Sequence, residues 1–244
     1  MKRDVLTAYP EVDAGRIQVV YNGIDTEQYQ PDPGTDVVER LGIDLNRPSV
    51  VFVGRITRQK GLPYLMRACH DLPPQAQIVL LAGAPDTAEI ATEVEGLAIQ
   101  LRNARDPDGV IWVQEMLPKH EVVQVLTHAT VFVCPSIYEP MGIVNLEAMA
   151  CETAVVATAT GGIPEVVADG ETGLLVPIEQ LADGTGTPVD PDRFVADLAV
   201  AMTALIEDPS RAKEMGLAGR RRAVEKFSWS TIAEQTMKVY RSVL

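Results

Sequence analysis

The sequence predicts an α/β protein in which helices cover both faces of a parallel β-sheet. Short runs of β-branched residues alternate with stretches of helical periodicity, which is typical of consecutive βαβ units around a buried sheet. The chain has 244 residues, and 46% of them are hydrophobic, which suffices for a sizeable core. We therefore expect one large domain, or one domain with appendages.

Seven short segments are predicted as strands because they are rich in β-branched residues. They are residues 17–21, 49–53, 77–81, 110–113, 130–134, 154–157 and 173–176. Proline marks the starts of helices between them, at Pro63, Pro118 and Pro164, since proline is tolerated in the first helical turn. Strands and helices are thus expected to alternate along most of the chain.

Both ends of the chain depart from this alternation. Residues 179–191 are interpreted as a polar insertion, and three helices with apolar residues at helical spacing are expected after it. These helices are residues 192–207, 210–226 and 228–244. Residues 1–9 have the pattern of a helix end that no strand precedes. We therefore expect residues 1–16 to be the remnant of a missing N-terminal domain and its linker.

Composition argues against several classes of partner. The formal net charge of −13 leaves no basic excess for neutralising phosphates, so a nucleic-acid partner is not expected. Residues 1–10 lack the apolar core of a signal peptide, and no run reaches the ~18 apolar residues of a membrane helix, so no membrane insertion is expected. Cys69, Cys134 and Cys151 lie in apolar contexts, as expected for reduced thiols of a cytoplasmic protein.

The most informative motif is a pair of glutamates, Glu139 and Glu147, where a predicted strand is followed by a predicted helix. If residues 142–150 are helical, their carboxylates lie on the order of 12 Å apart, because each helical residue rises about 1.5 Å. That is too far for the ~5 Å carboxylate pair of a retaining glycosidase. Carboxylates so far apart suit the two ends of one ligand, such as the two sugars of a nucleotide-sugar.

Cations and free amide groups are predicted to lie between these carboxylates. Arg55 ends a buried strand and Lys60 precedes the next helix, which are the places where ligands and anions bind in open α/β sheets. Both side chains can make charge-assisted bonds to a pyrophosphate. Gly142 permits close approach of the backbone, and the N–H groups of Gly142, Ile143 and Val144 are free to face phosphates or a sugar. The alternative is that these charged residues are ordinary surface residues.

Other chemistries lack support in the sequence. Residues 106–108 and 190–192 both read Asp-Pro-Asp, but beside a glycine or just before a helix this pattern is turn and capping chemistry, so no metal site is expected. The histidines at positions 70, 120 and 128 share no ligand spacing with Cys or Asp. Neither the Gly-x-Ser-x-Gly nor the Gly-x-Gly-x-x-Gly motif occurs, which leaves hydrolase and dehydrogenase functions unsupported.

Five ordered blocks of sequence resemble the retaining glycosyltransferases of the GT-B fold. They are Asn22-Gly23-Ile24-Asp25; Gly54-Arg55 with Lys60-Gly61; Pro135-Ser136 with the segment from Glu139 to Glu147; Glu147-Ala148-Met149-Ala150; and Gly161-Gly162 with Glu165 and the run from Gly170 to Val176. The resemblance covers nearly the whole chain but only the C-terminal half of the family. The sequence looks most like the actinobacterial-type glycogen synthases, including the related maltose-1-phosphate-forming enzymes, on the insertion at 180–191 and on Phe-Ser-Trp at 227–229.

The resemblance implies a Rossmann-like nucleotide-sugar-binding domain over residues 17–227, one half of a GT-B fold, with a helix at 228–244 that crosses back to the N-terminal domain. It implies a retaining hexosyltransferase of glycogen or α-glucan synthesis. The donor would be ADP-glucose, or else UDP-glucose, and the acceptor a glucan or glucose phosphate. No cofactor is implied. Since the missing N-terminal domain holds the acceptor, we expect the chain alone to bind donor and to be inactive.

The resemblance also implies roles for individual residues. Arg55 and Lys60 would bind the donor diphosphate, and Glu139 would bind the hydroxyls of the transferred glucose, so that these three form the catalytic set. Glu147 would bind the ribose. The remaining donor contacts are expected from Met116 and Leu117, which border the base, and from Met141, Gly142, Ile143 and Val144.

Three alternatives stay open from the sequence. The first is a related retaining transferase that uses a UDP-sugar with a lipid, inositol or small-molecule acceptor. The second is a non-catalytic half-protein that binds nucleotide-sugars and needs a partner chain. The third is an epimerase of related two-domain shape.

Overall fold

A six-stranded parallel β-sheet forms the centre of the computed structural model, which describes residues 2–243. Its strands are β1 (Ser49–Arg55), β2 (Gln77–Gly83), β3 (Val110–Val113), β4 (Val131–Cys134), β5 (Ala154–Thr158) and β6 (Gly173–Val176). Their order across the sheet is β3-β2-β1-β4-β5-β6, and every pair of neighbours is parallel. The predicted fold class is confirmed, and the strand order reverses direction between β1 and β4.

Helices cover both faces of this sheet. The helices that the structure describes are α1 (Lys2–Ala8), α2 (Asp36–Arg40), α3 (Leu62–Ala68), α4 (Ala88–Ala104), α5 (Lys119–His128), α6 (Ile143–Ala150), α7 (Ile163–Val166), α8 (Pro191–Ile206), α9 (Pro209–Phe227) and α10 (Trp229–Val243). Short 3-10 turns lie at Ala14–Arg16, Arg58–Lys60, Cys69–Asp71 and Pro107–Gly109. Within the described residues, no helix combines the length and the apolar character needed to cross a membrane.

Two hydrophobic clusters lie on opposite faces of the sheet. In β1, Val50 and Phe52 pack into the cluster that also contains residues of α3, α4 and α8, while Val51 packs into the cluster with residues of α5, α6 and α9. Successive side chains of a strand point to opposite faces, so a strand that is covered on both sides must be apolar throughout. This explains why the strands appear in the sequence as continuous rather than alternating apolar runs.

The strand predicted at residues 17–21 is wrong. This segment has no strand pairing and lies outside the sheet, partly exposed along its length. It leads to Ile24, whose N–H donates to the Phe227 carbonyl at 2.7 Å, and the Tyr21 ring packs on the Phe227 ring at 5.6 Å between centroids. The tertiary contacts with the end of α9 therefore override the β-propensity of the run, which is a weak local preference.

The C-terminal half follows the prediction closely. Helices α8, α9 and α10 begin within one residue of the predicted helices, and the aspartates Asp190 and Asp208 cap α8 and α9 by accepting the N–H groups of Arg193 and Arg211. The predicted insertion is a loop whose two sides pair, since Gln180 and Pro188 form an antiparallel bridge. The predicted first and last residues, 1 and 244, lie outside the described residues, and the proposed domain boundaries stay predictions.

Two glycines inside helices should respond oppositely to alanine. A Cβ at Gly96 of α4 meets nothing within 4 Å, so Gly96→Ala is expected to raise the free energy of unfolding by up to about 1 kcal/mol through helix propensity. A Cβ at Gly216 of α9 would lie 1.9 Å from the Glu152 carbonyl oxygen, so Gly216→Ala should destabilise. Urea denaturation of both variants measures the difference, and a shift of the same sign in both would contradict the packing described for α9.

Candidate functional site

The candidate site lies at the carboxyl end of the sheet, where the strand order reverses between β1 and β4. In open α/β sheets the connections on either side of such a point diverge and leave a crevice for a ligand. Three loops meet there: the one after β1 with Lys60, the one after β4 with Glu139, and the one after β5 with Gly161. The fold thus assembles the site from segments that are distant in sequence.

An ion pair between Lys60 and Glu139 lies at the centre of this site. The Lys60 Nζ is 2.6 Å from the Glu139 Oε2, and both side chains are largely buried, with 23% and 10% of their surface exposed. The Ser136 hydroxyl lies 3.5 Å from the same carboxylate oxygen. The sequence predicts both charged residues at the site but not their contact. Since the two are paired, any ligand group that Glu139 binds lies close to the positive charge of Lys60.

The loops after β1 and β4 are bound together through their backbones. The Gln59 carbonyl accepts the Ile137 N–H at 2.9 Å, and the Gln59 side chain donates to the Tyr138 carbonyl at 2.9 Å. Gly61, in the left-handed conformation with φ +67°, lies so close to the loop after β4 that a Cβ would be 1.9 Å from the Pro135 carbonyl oxygen. Lys60 is therefore held in place by its neighbours on both sides.

A glycine pair in the loop after β5 supports Glu139 from the other side. The Gly162 N–H donates to the Glu139 carbonyl at 2.9 Å. At Gly161, with φ +54°, a Cβ would be 1.9 Å from that same carbonyl oxygen. This close backbone contact explains why the Gly-Gly motif at 161–162 accompanies the glutamate motif in the sequence.

The N-terminus of α6 faces the same crevice. Gly142 is its N-cap, with φ +83°, and Ile143 and Val144 are its first helical residues. Their N–H groups lack intrahelical acceptors, and the helix dipole makes this end attractive for an anion. Met141 precedes the cap and is partly buried. The helix predicted from the glutamate spacing is present, and its N-terminus lies directly after the Glu139 loop.

Glu147 lies in the second turn of α6 and is half-buried. Burial raises the pKa of its carboxyl above the ordinary value of 4.5, while a hydrogen bond from the Tyr29 hydroxyl and the positive charges of Lys119 and Lys60 partly oppose this shift. Glu147 is thus not an ordinary exposed carboxylate on a helix surface. It is a partly desolvated acid that faces the Tyr29 side chain.

Arg55, Met116 and Leu117 line a second part of the crevice. They border a cleft of about 190 Å³ at the ends of β1 and β2, whose floor includes Val53 and Leu81. Met116 is 88% exposed at its rim, and Leu117 is nearly buried. Within residues 2–243 no carboxylate is paired with Arg55, so its guanidinium is available to an anionic ligand. The apolar floor with a cation beside it suits a flat ring that carries a phosphate chain.

The same cleft has a tight backbone contact of its own. A Cβ at Gly83, the last residue of β2, would lie 1.9 Å from the Gln114 carbonyl oxygen. The adjacent Ala84 has φ +48°, a left-handed conformation that costs a non-glycine residue roughly 1 kcal/mol or more. Backbone strain of this kind is concentrated at functional sites, which agrees with the position of the cleft.

The Asp-Pro-Asp segments have the predicted capping role. Asp106 accepts the Asp108 N–H at 3.2 Å, and Asp190 accepts the Arg193 N–H at 3.0 Å. In the part of the chain that the structure describes, no three His, Cys, Asp or Glu side chains form a group that could hold a metal ion.

Residues 35–222 of the chain match the family described as glycosyl transferases group 1. The chain belongs to this family. It is 56% identical over 246 residues to an alpha-maltose-1-phosphate synthase of Mycolicibacterium smegmatis, in a match that covers 100% of the chain and 61% of that protein. It is 32% identical over 248 residues to a D-inositol 3-phosphate glycosyltransferase of Kineococcus radiotolerans, covering 98% of the chain and 54% of that protein.

The fold is also similar to solved glycosyltransferase structures. Against sucrose-phosphate synthase from Thermosynechococcus elongatus the TM-score is 0.77 at 32% identity, covering 99% of this chain and 56% of that one. The chain therefore spans less than two thirds of each of these relatives. The resemblance predicted from the motifs is confirmed: the six-stranded sheet is the Rossmann-like, C-terminal half of a GT-B glycosyltransferase fold.

Several residues that build the site of this glycosyltransferase domain are missed by the sequence reasoning. Gln59 is one, and Gln180 is another, since its side-chain amide donates to the carbonyls of both Ile137 and Gly186. Tyr29, whose side chain faces the Glu147 carboxylate, is a third. Each of these contacts joins positions far apart in the sequence, and only Gln180 has a signal, its place at the start of the insertion that carries the closer resemblance.

Glu147→Gln is expected to raise the free energy of unfolding at neutral pH, because it removes a partly desolvated charge and keeps the side-chain shape. A carboxyl whose pKa is raised by folding binds its proton more tightly in the folded state, so the folded chain loses stability as the pH rises through that pKa. The gain of the variant should therefore shrink as the pH falls toward 4.5, the ordinary value for glutamate. Urea denaturation across this pH range measures it.

The matched control for this experiment is Glu234→Gln on the exposed side of α10. Because this side chain is exposed, the variant should leave the free energy of unfolding nearly unchanged. A loss of stability for Glu147→Gln at neutral pH, or an equal gain in both variants, would contradict the environment described for Glu147.

Proposed function

We propose that this chain is the donor-binding half of a retaining hexosyltransferase that takes glucose from ADP-glucose and adds it to a glucan or a glucose phosphate. The buried Lys60–Glu139 ion pair beside the N-terminus of α6 is the observation that carries this proposal. It combines a hydrogen-bond acceptor for sugar hydroxyls with positive charge for a diphosphate. The 56% identity to an alpha-maltose-1-phosphate synthase supports the choice of substrates.

The donor would lie along the crevice with its two sugars at opposite ends. Glu139 would accept hydrogen bonds from the hydroxyls of the transferred glucose, and Glu147 those of the ribose. The diphosphate between them would meet Lys60, Arg55 and the free N–H groups of α6, all of which favour an anion. The base would enter the cleft bordered by Met116 and Leu117. Each candidate residue would thus face the part of the ligand whose chemistry it matches.

The same groups would assist the departure of the nucleotide. As the bond from the glucose C1 to the diphosphate oxygen breaks, negative charge grows on that oxygen, and Lys60 and Arg55 would stabilise it. The reacting carbon would pass through an oxocarbenium-like state, in which the acceptor hydroxyl enters on the face that the diphosphate leaves. The acceptor oxygen would form the new bond to C1, and its proton would pass to the departing diphosphate oxygen. Because this chain spans about 61% of its relative, we propose that residues outside it hold the acceptor and that the chain alone is inactive.

A second candidate function is a related retaining transferase with a UDP-sugar donor and an inositol or other small acceptor. The 32% identity to a D-inositol 3-phosphate glycosyltransferase favours it. The same crevice would serve, because both donors contain a diphosphate between two sugars. The two donors would differ only in the base that enters the cleft.

We also propose a cytoplasmic location. It is supported by Cys69, Cys134 and Cys151, which are free and buried as expected in a reducing compartment.

Calorimetric titration with ADP-glucose, UDP-glucose, ADP and UDP tests the donor. We expect ADP-glucose to bind at least about tenfold more tightly than UDP-glucose, which corresponds to about 1.4 kcal/mol. A preference for UDP-glucose would instead support the second candidate function. If none of the four ligands bound, the proposal of a donor-binding half would fail.

Glu139→Gln should weaken the binding of the sugar end of the donor more than the binding of its diphosphate end. The variant keeps the side-chain shape but accepts hydroxyl hydrogen bonds less strongly, so ADP-glucose should lose about tenfold in affinity while ADP loses much less.

Lys60→Ala should weaken the binding of both ligands, by about 1–3 kcal/mol, because it removes a charged bond to the diphosphate.

The matched control is Arg58→Ala, two residues before Lys60. Arg58 pairs with Glu93 on the surface, with 64% of its side chain exposed, so this variant should leave both affinities unchanged. If Glu139→Gln lowered the affinities for ADP and ADP-glucose equally, Glu139 would not bind the sugar end of the donor.

A further inference from the structure

The polar insertion at 179–191 folds into a closed loop. Its two sides are joined by the backbone, since the Leu181 N–H donates to the Thr187 carbonyl at 2.9 Å. At its tip the Asp183 carboxylate accepts both the N–H and the hydroxyl of Thr185, at 2.9 Å and 2.7 Å. An aspartate that bonds a backbone N–H two positions ahead stabilises a turn. The insertion therefore keeps its shape through contacts of its own.

Gln180 connects this insertion to the loop that carries Glu139. Its side-chain nitrogen donates to the Gly186 carbonyl at 2.8 Å inside the insertion and to the Ile137 carbonyl at 2.5 Å in the loop after β4. Both hydrogens of the amide are thus used. Gly186 lies against the same loop, because a Cβ there would be 3.1 Å from the Ile137 carbonyl oxygen. The insertion is fixed to the site at this point.

Three consecutive carbonyl groups of the Glu139 loop are held by three different segments. The Glu139 carbonyl accepts the Gly162 N–H from the loop after β5, at 2.9 Å. The Tyr138 carbonyl accepts the Gln59 side chain from the turn after β1, also at 2.9 Å. Gln180 holds the carbonyl that precedes these two. The insertion therefore provides one of three attachments that fix the backbone at and before Glu139.

The Ile137 carbonyl depends strongly on the Gln180 amide. Ile137 is 6% exposed, so water has little access to it. Besides Gln180, the carbonyl accepts the Thr160 hydroxyl at 3.4 Å, which is a long and therefore weak contact. A buried carbonyl that loses its donor is destabilised, and the loop around it shifts to regain a partner. Such a shift would begin two residues before Glu139.

We propose that Gln180 is a positioning residue, which orients the Glu139 carboxylate for the hydroxyls of the transferred sugar by holding the Ile137 carbonyl. The inference rests on the proposed function for the sugar that Glu139 binds. A binding side chain must lie within about 0.5 Å of its productive position, so the backbone that carries it needs such attachments. The insertion thereby contributes to donor binding without contacting the donor.

The groups proposed for the diphosphate are held by other contacts. Arg55 is the last residue of β1 and pairs with Gly83 of β2 inside the sheet. The Lys60 N–H donates to the Thr57 hydroxyl at 3.3 Å, within the turn after β1. Neither contact involves the insertion. Loss of the Gln180 amide should therefore weaken the binding of the sugar and leave the binding of the diphosphate nearly unchanged.

The test is Gln180→Met, titrated calorimetrically with ADP-glucose and with ADP. Methionine has a similar length but no donor. The affinity for ADP-glucose should fall about fivefold while the affinity for ADP is unchanged, so that the ratio of the two affinities falls. In a Glu139→Gln background the same substitution should lower the ratio less, because Gln180 acts through Glu139.

Thr185→Val is the matched control in the same insertion. It removes the hydroxyl that donates to Asp183 at 2.7 Å and to the Thr187 hydroxyl at 2.8 Å. It leaves the contact of Gln180 with Ile137 in place. The ratio of the two affinities should therefore equal that of the wild-type chain.

The results that would overturn the inference differ from one another. Equal losses for ADP and ADP-glucose in Gln180→Met would make Gln180 a merely structural residue. An equal fall of the ratio in Thr185→Val would assign the effect to the insertion as a whole. An unchanged ratio in Gln180→Met with a lower ratio in Glu139→Gln would refute the inference and leave the proposed function intact. An unchanged ratio in both would refute the sugar role of Glu139 as well.

Discussion

The ion pair between Lys60 and Glu139 sets the requirements that the surrounding loops meet. Two charges that are withdrawn from water lose hydration, and only close, well-oriented contact restores that free energy. Their 2.6 Å contact therefore needs both backbones to be fixed to within a fraction of an ångström. The hydrogen bonds of Gln59 to the loop after β4, and of Gly162 to the Glu139 carbonyl, supply this constraint. The sheet beneath them keeps the three loops at one edge.

The fold follows from the sequence because its signals are local. Six of the seven predicted strands are present, since a strand covered on both faces must be a continuous apolar run, and such runs are visible without knowledge of their neighbours. Residues 17–21 have the same local signal but form no strand, and Tyr21 packs on Phe227, which is more than 200 positions away in the sequence. Only the tertiary structure could show that this segment has no strand partner.

The candidate site was predictable in its residue types and position but not in its contacts. The spacing of Glu139 and Glu147 and the positions of Arg55 and Lys60 after a buried strand place four charged groups at one edge of the sheet. The contact of Lys60 with Glu139 joins residues 79 positions apart, and the Gln59 side chain reaches the Tyr138 carbonyl across the same separation. Such pairings arise from packing, for which the sequence holds no local pattern.

Three glycines at the site lie against backbone atoms of a neighbouring segment. Those at positions 61, 83 and 161 lie against the carbonyl oxygens of Pro135, Gln114 and Glu139, with no room for a Cβ. Every amino acid carries such a carbonyl, so the side chains of the facing loops can change in evolution without disturbing these contacts. The backbone contacts that hold the loops together can therefore stay the same while the side chains that contact the ligand change. A fold of this kind can acquire new donor or acceptor preferences by substitution around an unchanged set of glycines.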